Sequence, residues 1–125
     1  MIMHRVAVLM FALATASTPA LAHPKVAASS PAAGATVAAP KQISLQMTEP
    51  LVAELSGATL TMTGMPGMAD HAPMTVTVKS SVGPDRKTLL LTPTKKLPAG
   101  NYRVDWHAVS GDTHRITGTH EFSVK

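Results

Sequence analysis

The chain reads as an all-β protein, an antiparallel sandwich of about seven short strands. Three observations predict it. Apolar and polar residues alternate in short runs separated by Gly, Pro, Asn and Asp. After the first 22 residues no segment of helix length repeats its apolar positions with helical period. Leu97-Pro98-Ala99-Gly100-Asn101-Tyr102 precedes a long alternating run, the pattern of a tyrosine corner, in which a strand's phenol reaches back to the backbone before it.

In order along the chain, residues 25–29 form a first strand, closed by Ser30-Pro31 and Gly34. Residues 42–48 set Ile43, Leu45 and Met47 against Ser44, Gln46 and Thr48, the pattern of a half-buried strand. Residues 58–63 alternate likewise, with Leu60 and Met62 on one side. Residues 75–79 are strand-like, and 80–86, with Gly83-Pro84-Asp85, are a turn. Residues 87–92 carry Leu89-Leu90-Leu91. Residues 101–109 place Tyr102, Val104, Trp106 and Ala108 on one face, and 116–124 do the same with Phe122 and Val124. The three aromatics are core candidates. His107 follows Trp106 and is expected opposite it, in solvent. His120 is expected as an ordinary strand residue or a peripheral weak metal site.

The first residues read as a secretory signal. His4 and Arg5 give a basic start, residues 6–16 an apolar run too short to span a bilayer, and Ala20-Leu21-Ala22 a cleavage site. The domain division is therefore 1–22, removed, and 23–125, one β domain with His23 at its N-terminus. No second apolar run follows, so the processed form is not expected to be membrane-embedded. Eleven Lys and Arg, less Arg5, against seven Asp and Glu leave a net charge of +3. With so mild a charge, and few aromatics to stack on bases, nucleic acid is a poor partner. Cysteine is absent, which excludes zinc-thiolate sites, iron–sulfur clusters and a blue-copper centre.

Four thioethers and one imidazole fall within thirteen residues: Met62, Met65, Met68, His71 and Met74. The first three have helical spacing, but Gly64, Pro66, Gly67 and Pro73 break any helix there. A loop remains. Thioether sulfur is a soft, neutral ligand suited to Cu(I). The competing reading is a flexible Met-rich surface for an apolar partner.

A second set of donors is scattered. Cleavage after Ala22 would give His23 a free α-amine, which can chelate one metal together with its own Nδ1. Pro24 has no backbone N–H, so it cannot supply a deprotonated amide to copper. Asp112-Thr113-His114 adds a carboxylate and an imidazole that share a face if the segment is extended. Amine, two imidazoles and a carboxylate make a tetragonal N/O set suited to Cu(II). The competing reading is a Gly111-Asp112 turn in which Asp112 bonds its own backbone. No nucleophile–base pair is visible.

With these residues the chain resembles the CopC/PcoC family of periplasmic copper-resistance proteins along its whole length after the signal. The resemblance rests on His23-Pro24, Ser30-Pro31, Glu49-Pro50-Leu51 and Ser56-Gly57-Ala58. It rests further on the loop M-T-G-M-P-G-M-x-x-H-x-P-M and the late block Y-R-V-D-W-x-A-V-S-x-D-T-H-x-I-T-G. It implies a cupredoxin-like, Ig-like Greek-key β-sandwich or barrel with copper sites at opposite ends. It implies Cu(I) at Met62, Met65, Met68, His71 and Met74, and Cu(II) at His23, Asp112 and His114, with Glu49 a further carboxylate. It implies a non-catalytic carrier or buffer in the periplasm. Its partners, by the same resemblance, are a multicopper oxidase and an inner-membrane copper importer. Two rival functions are a His-brace copper monooxygenase and an Ig-like binding module without metal. Against the first, Asp112 would fill the position oxygen needs, and aromatics for a flat sugar-binding face are few.

Overall fold

The computed structural model describes residues 23–67 and 72–125. Those residues form nine strands and one 3-10 turn. The strands are β1 (Val26–Ser30), β2 (Thr36–Val37), β3 (Ile43–Met47), β4 (Gly57–Gly64), β5 (Met74–Val76), β6 (Val78–Val82), β7 (Thr88–Pro93), β8 (Gly100–Val109) and β9 (Arg115–Val124), with the turn at Ala53–Leu55. One sheet runs β1-β3-β7-β6 and the other β2-β9-β8-β4-β5. Every pairing is antiparallel except β2 on β9. The two sheets do not close, so the architecture is a sandwich rather than a barrel. The proposed leader, 1–22, lies outside the described residues. Among those described, no helix is long and apolar enough to cross a membrane.

Alternation builds the core. Ile43, Leu45 and Met47 of β3, Leu89 and Leu91 of β7, Leu60 and Met62 of β4, and Val104 of β8 are buried between the sheets. Each such aliphatic side chain contributes about 1.5–3 kcal/mol on burial. Tyr102 stacks on Phe122 across the β8–β9 pair, with centroids 5.5 Å apart, and its hydroxyl donates to the Pro98 carbonyl at 2.5 Å. The tyrosine corner is therefore present. Trp106 lies across its register partner Gly118, where an added Cβ would come within 2.3 Å of the indole.

The strand count exceeds the expected seven for two physical reasons. β2 is two residues long and carries no periodicity of its own; its place is set by pairing with β9. The expected strand 75–79 is divided, because the chain leaves one sheet after Val76 and joins the other at Val78. The Thr77 carbonyl at the crossing accepts from Thr94 N at 3.2 Å and from the Thr94 hydroxyl at 3.3 Å. β6 consequently takes the front of the expected turn 80–86. Its lone register on β7 leaves Lys79, Ser80 and Ser81 exposed, as suits an edge strand. The true turn is closed by Gly83 N to Thr88 O at 2.8 Å and by the Asp85 carboxylate, which accepts from the N–H groups of Lys87 and Thr88.

Candidate metal centre

The N-terminal segment is fixed by the residues that follow His23. The Pro24 ring is fully buried. Lys25 N donates to the Thr48 hydroxyl at 3.0 Å, and Thr48 N donates to the Lys25 carbonyl at 2.8 Å. His23 is thus held beside the end of β3. The end of β8 reaches the same place. Ser56 Oγ accepts from Val109 N at 3.0 Å, and the Val109 carbonyl accepts from Val52 N at 2.8 Å.

Between β8 and β9 the chain turns. Thr113 N donates to Ser110 O at 3.0 Å, and Thr113 itself has φ of 66°, in the left-handed region. Residues 112–114 are therefore turned rather than extended, since reversal into β9 requires a tight turn. The two side chains converge nonetheless. Asp112 Oδ1 accepts from the Ser110 hydroxyl at 2.9 Å and from His114 N at 3.1 Å. Its Oδ2 faces His23 Nδ1 at 3.6 Å and His114 Nδ1 at 3.5 Å. The turn reading of Asp112 holds for Oδ1, and Oδ2 is left facing the two imidazoles.

The imidazoles lie with centroids 5.7 Å apart and planes at 49°. One ligand atom from each of His23, Asp112 and His114 falls within 4.8 Å of the others. Donors about 2.0–2.2 Å from one ion stand about 3 Å apart when cis and about 4 Å when trans. The cluster needs only a small contraction to match. The Asp112 side chain is only 10% exposed, while both imidazoles are open to solvent. Its carboxyl is held below the ordinary aspartate range, first by the Ser110 hydroxyl and then by His114 N–H, with the imidazoles adding and burial opposing. An ionised carboxylate beside two imidazoles offers a donor set of N/O type that could hold a metal ion. Glu49 lies half-buried next to Thr48 at this end of the sandwich and is not a member of the cluster.

The methionine segment joins β4 to β5. Met62 and Met74 are direct cross-strand partners. Met62 points into the core and is 4% exposed, whereas Met74 at the sheet edge is 55% exposed. Met65 packs half-buried against the core. Met68 and His71 lie outside the described residues. The two constellations occupy opposite ends of β8: Gly64 pairs with Asn101, and Arg115 pairs with Val109. Eight residue-to-residue steps along the strand, roughly 26 Å, separate Asn101 from Val109.

The two remaining histidines within the described residues are explained by packing. His120 is buried, not peripheral, and its Nε2 donates to the Pro31 carbonyl at 2.9 Å. His107 is half-buried rather than in solvent, because its register partner Gly57 leaves the ring room to lie against that strand. Burial, and then the nearby Arg115 charge, hold its imidazole below the ordinary histidine range.

Comparison with known proteins decides the family. The CopC domain model matches residues 26–125. The chain belongs to the CopC family. It is 53% identical over 106 residues to Copper resistance protein C of Escherichia coli, covering 85% of this chain and 84% of that one. It is 53% identical over 109 residues to Copper resistance protein C of Pseudomonas syringae pv. tomato, covering 87% and 86%. The crystal structure of PcoC, described as a methionine-rich copper resistance protein from Escherichia coli, superposes with a TM-score of 0.77 at 51% identity. That match covers 83% of this chain and all of PcoC.

In this CopC-family chain Ser110, whose hydroxyl orients Asp112, stands outside the metal-donor pattern of the sequence. The Ser-Gly-Asp spacing of residues 110–112, a side-chain turn pattern, could have shown it. Pro24 does more than lack an N–H: its buried ring anchors the segment that carries His23.

Proposed function

We propose that the chain is an exported copper-binding protein of copper resistance and homeostasis, a carrier or buffer rather than an enzyme. Its signal is cleaved after Ala22 and it works in the periplasm. The single observation that carries this reading is the facing of Asp112 Oδ2 toward the Nδ1 atoms of both His23 and His114. Cu(II) is the cargo of that end. His23 and His114 supply imidazole nitrogen, Asp112 supplies carboxylate oxygen, and the α-amine freed by cleavage completes the set; Glu49 stands by as a further carboxylate. Cu(I) is the cargo of the other end, taken by Met65, Met68, His71 and Met74. Met62 supports that site from the core and contributes its thioether only if the strand end opens.

Oxidation state selects the end, because soft thioethers prefer Cu(I) and the N/O set prefers Cu(II). An exposed thioether such as Met74 can be replaced by a donor from a partner, which is how a carrier releases its ion. The family resemblance puts a multicopper oxidase and an inner-membrane importer in that role. The test is Cu(II) titration of the protein beginning at His23, followed by electron paramagnetic resonance. One tetragonal, nitrogen-rich signal at one equivalent is expected. Uptake no different from that of a His114→Ala variant would overturn the assignment.

A further inference from the structure

The methionine end of the sandwich carries two grooves that share a wall, Thr94-Lys95-Lys96. One, of about 430 Å³, runs from Met62 and Met74 past Val76 to Leu97 and Pro98. The other, of about 570 Å³, is lined by Ala39, Pro40, Lys41 and Pro93. Lys41, Lys95 and Lys96 are exposed, and none forms an ion pair among the described residues. Neither groove has an Asp or Glu in its wall. The net charge of the processed chain is small, so this local excess of positive charge is a property of one end rather than of the whole. Met74 beside it is one of two large apolar side chains left exposed among the described residues, with Leu55.

We propose that this lysine-rimmed double groove docks an acidic, thioether-bearing segment of a partner protein, and so guides Cu(I) transfer through Met74. The inference rests on the copper-carrier reading and adds the chemistry of the partner. Carboxylates pair with the three ammonium groups and fix register, which is what charge complementarity at a rim supplies. The apolar floor of Met62, Val76 and Leu97 takes the methylenes of a methionine. A segment lying along the shared wall would bring its sulfur beside Met74, where one thioether can replace another without an unligated ion. The concavity favours a peptide over a lipid surface, which cannot enter a groove flanked by Pro98 and Lys96.

The test uses protein purified after export, loaded with Cu(I) under anaerobic conditions. Copper stoichiometry is measured first for every variant. The probe is a synthetic peptide alternating Asp and Met, compared with Asn/Met and Asp/norleucine versions. Lys95→Glu with Lys96→Glu is expected to weaken binding of the Asp/Met peptide about tenfold or more, with copper uptake unchanged. Lys25→Glu with Arg86→Glu, at the opposite end, is expected to change it little. Binding should fall with added salt, and backbone amide shifts should move at Met74, Val76 and Thr94 to Leu97. Equal losses in the two charge-reversed proteins, or none in either, with copper uptake intact, overturn the docking inference alone. Lysine-dependent capture on phosphatidylglycerol vesicles without peptide binding replaces it with a lipid contact. Failure of the unaltered protein to take up Cu(I) removes the carrier reading and the docking inference with it.

Discussion

The Ser110 hydroxyl lies 2.9 Å from Asp112 Oδ1, and that bond turns the other carboxylate oxygen toward the two imidazoles. The turn and the candidate metal site thus share one residue. Ser110 is buried at the end of β8, so the fold itself sets the orientation of Asp112.

Ser110→Ala is expected to leave the sandwich folded and to weaken Cu(II) binding about 10–100-fold, the usual effect of losing a partner that orients a ligand. Competition against a chromophoric chelator measures it. Ser110→Thr should recover most of the loss, because the hydroxyl is restored.

Asp112 also makes stability depend on pH. Its carboxyl is depressed in the folded protein, so the unfolded chain binds that proton more readily. The stabilisation is fully present above the unfolded value, about 3.9, and is lost as pH falls through the lower folded value. Denaturant midpoints of the copper-free protein should therefore drop below about pH 4. Asp112→Asn should flatten that drop without abolishing it. Asp85, depressed first by the Thr88 hydroxyl, retains its share.

The buried and exposed methionines should separate cleanly. Met62→Ala opens a cavity between the sheets and is expected to cost about 2–5 kcal/mol of stability. Met74→Ala, at an exposed edge, should stay within about 0.5 kcal/mol of the parent but weaken Cu(I) binding. Urea unfolding and Cu(I) competition on the same two variants check both halves.

Gly118→Ala is expected to destabilise by about 1–3 kcal/mol through overpacking, since its methyl would meet the Trp106 indole at 2.3 Å. Trp106 is the only tryptophan, so the displacement should also change the intrinsic fluorescence of the native protein.

A glycine placed before His23 in the processed protein should blunt Cu(II) binding, because the α-amine moves away from Nδ1. An unchanged copper spectrum would remove the amine from the ligand set.

Most of the fold was legible because its strands are half-buried, and burial on one face writes itself as alternation. Residues 42–48 and 101–109 came out within a residue of β3 and β8. The Tyr102 corner was legible because its motif is local. The crossing at Thr77 was not, because the hydrogen bonds from Thr94 that fix it come from a distant segment. β2 was missed because two residues carry no period. The convergence of His23 on Asp112 came from chemistry and resemblance, and its geometry depends on a left-handed Thr113 that no residue preference announces. Met62 stood both in the alternation with Leu60 and in the methionine ligand set. Its burial shows that packing holds it, and the exposed thioether next to it is Met74.

The most direct test of two separate copper sites is an anaerobic titration of the protein beginning at His23, with Cu(II) and with Cu(I), alone and after His114→Ala. One equivalent of each ion is expected in the parent. The variant should lose the Cu(II) equivalent and its resonance signal while keeping the Cu(I) equivalent at unchanged affinity. Loss of both ions together would contradict two separate sites.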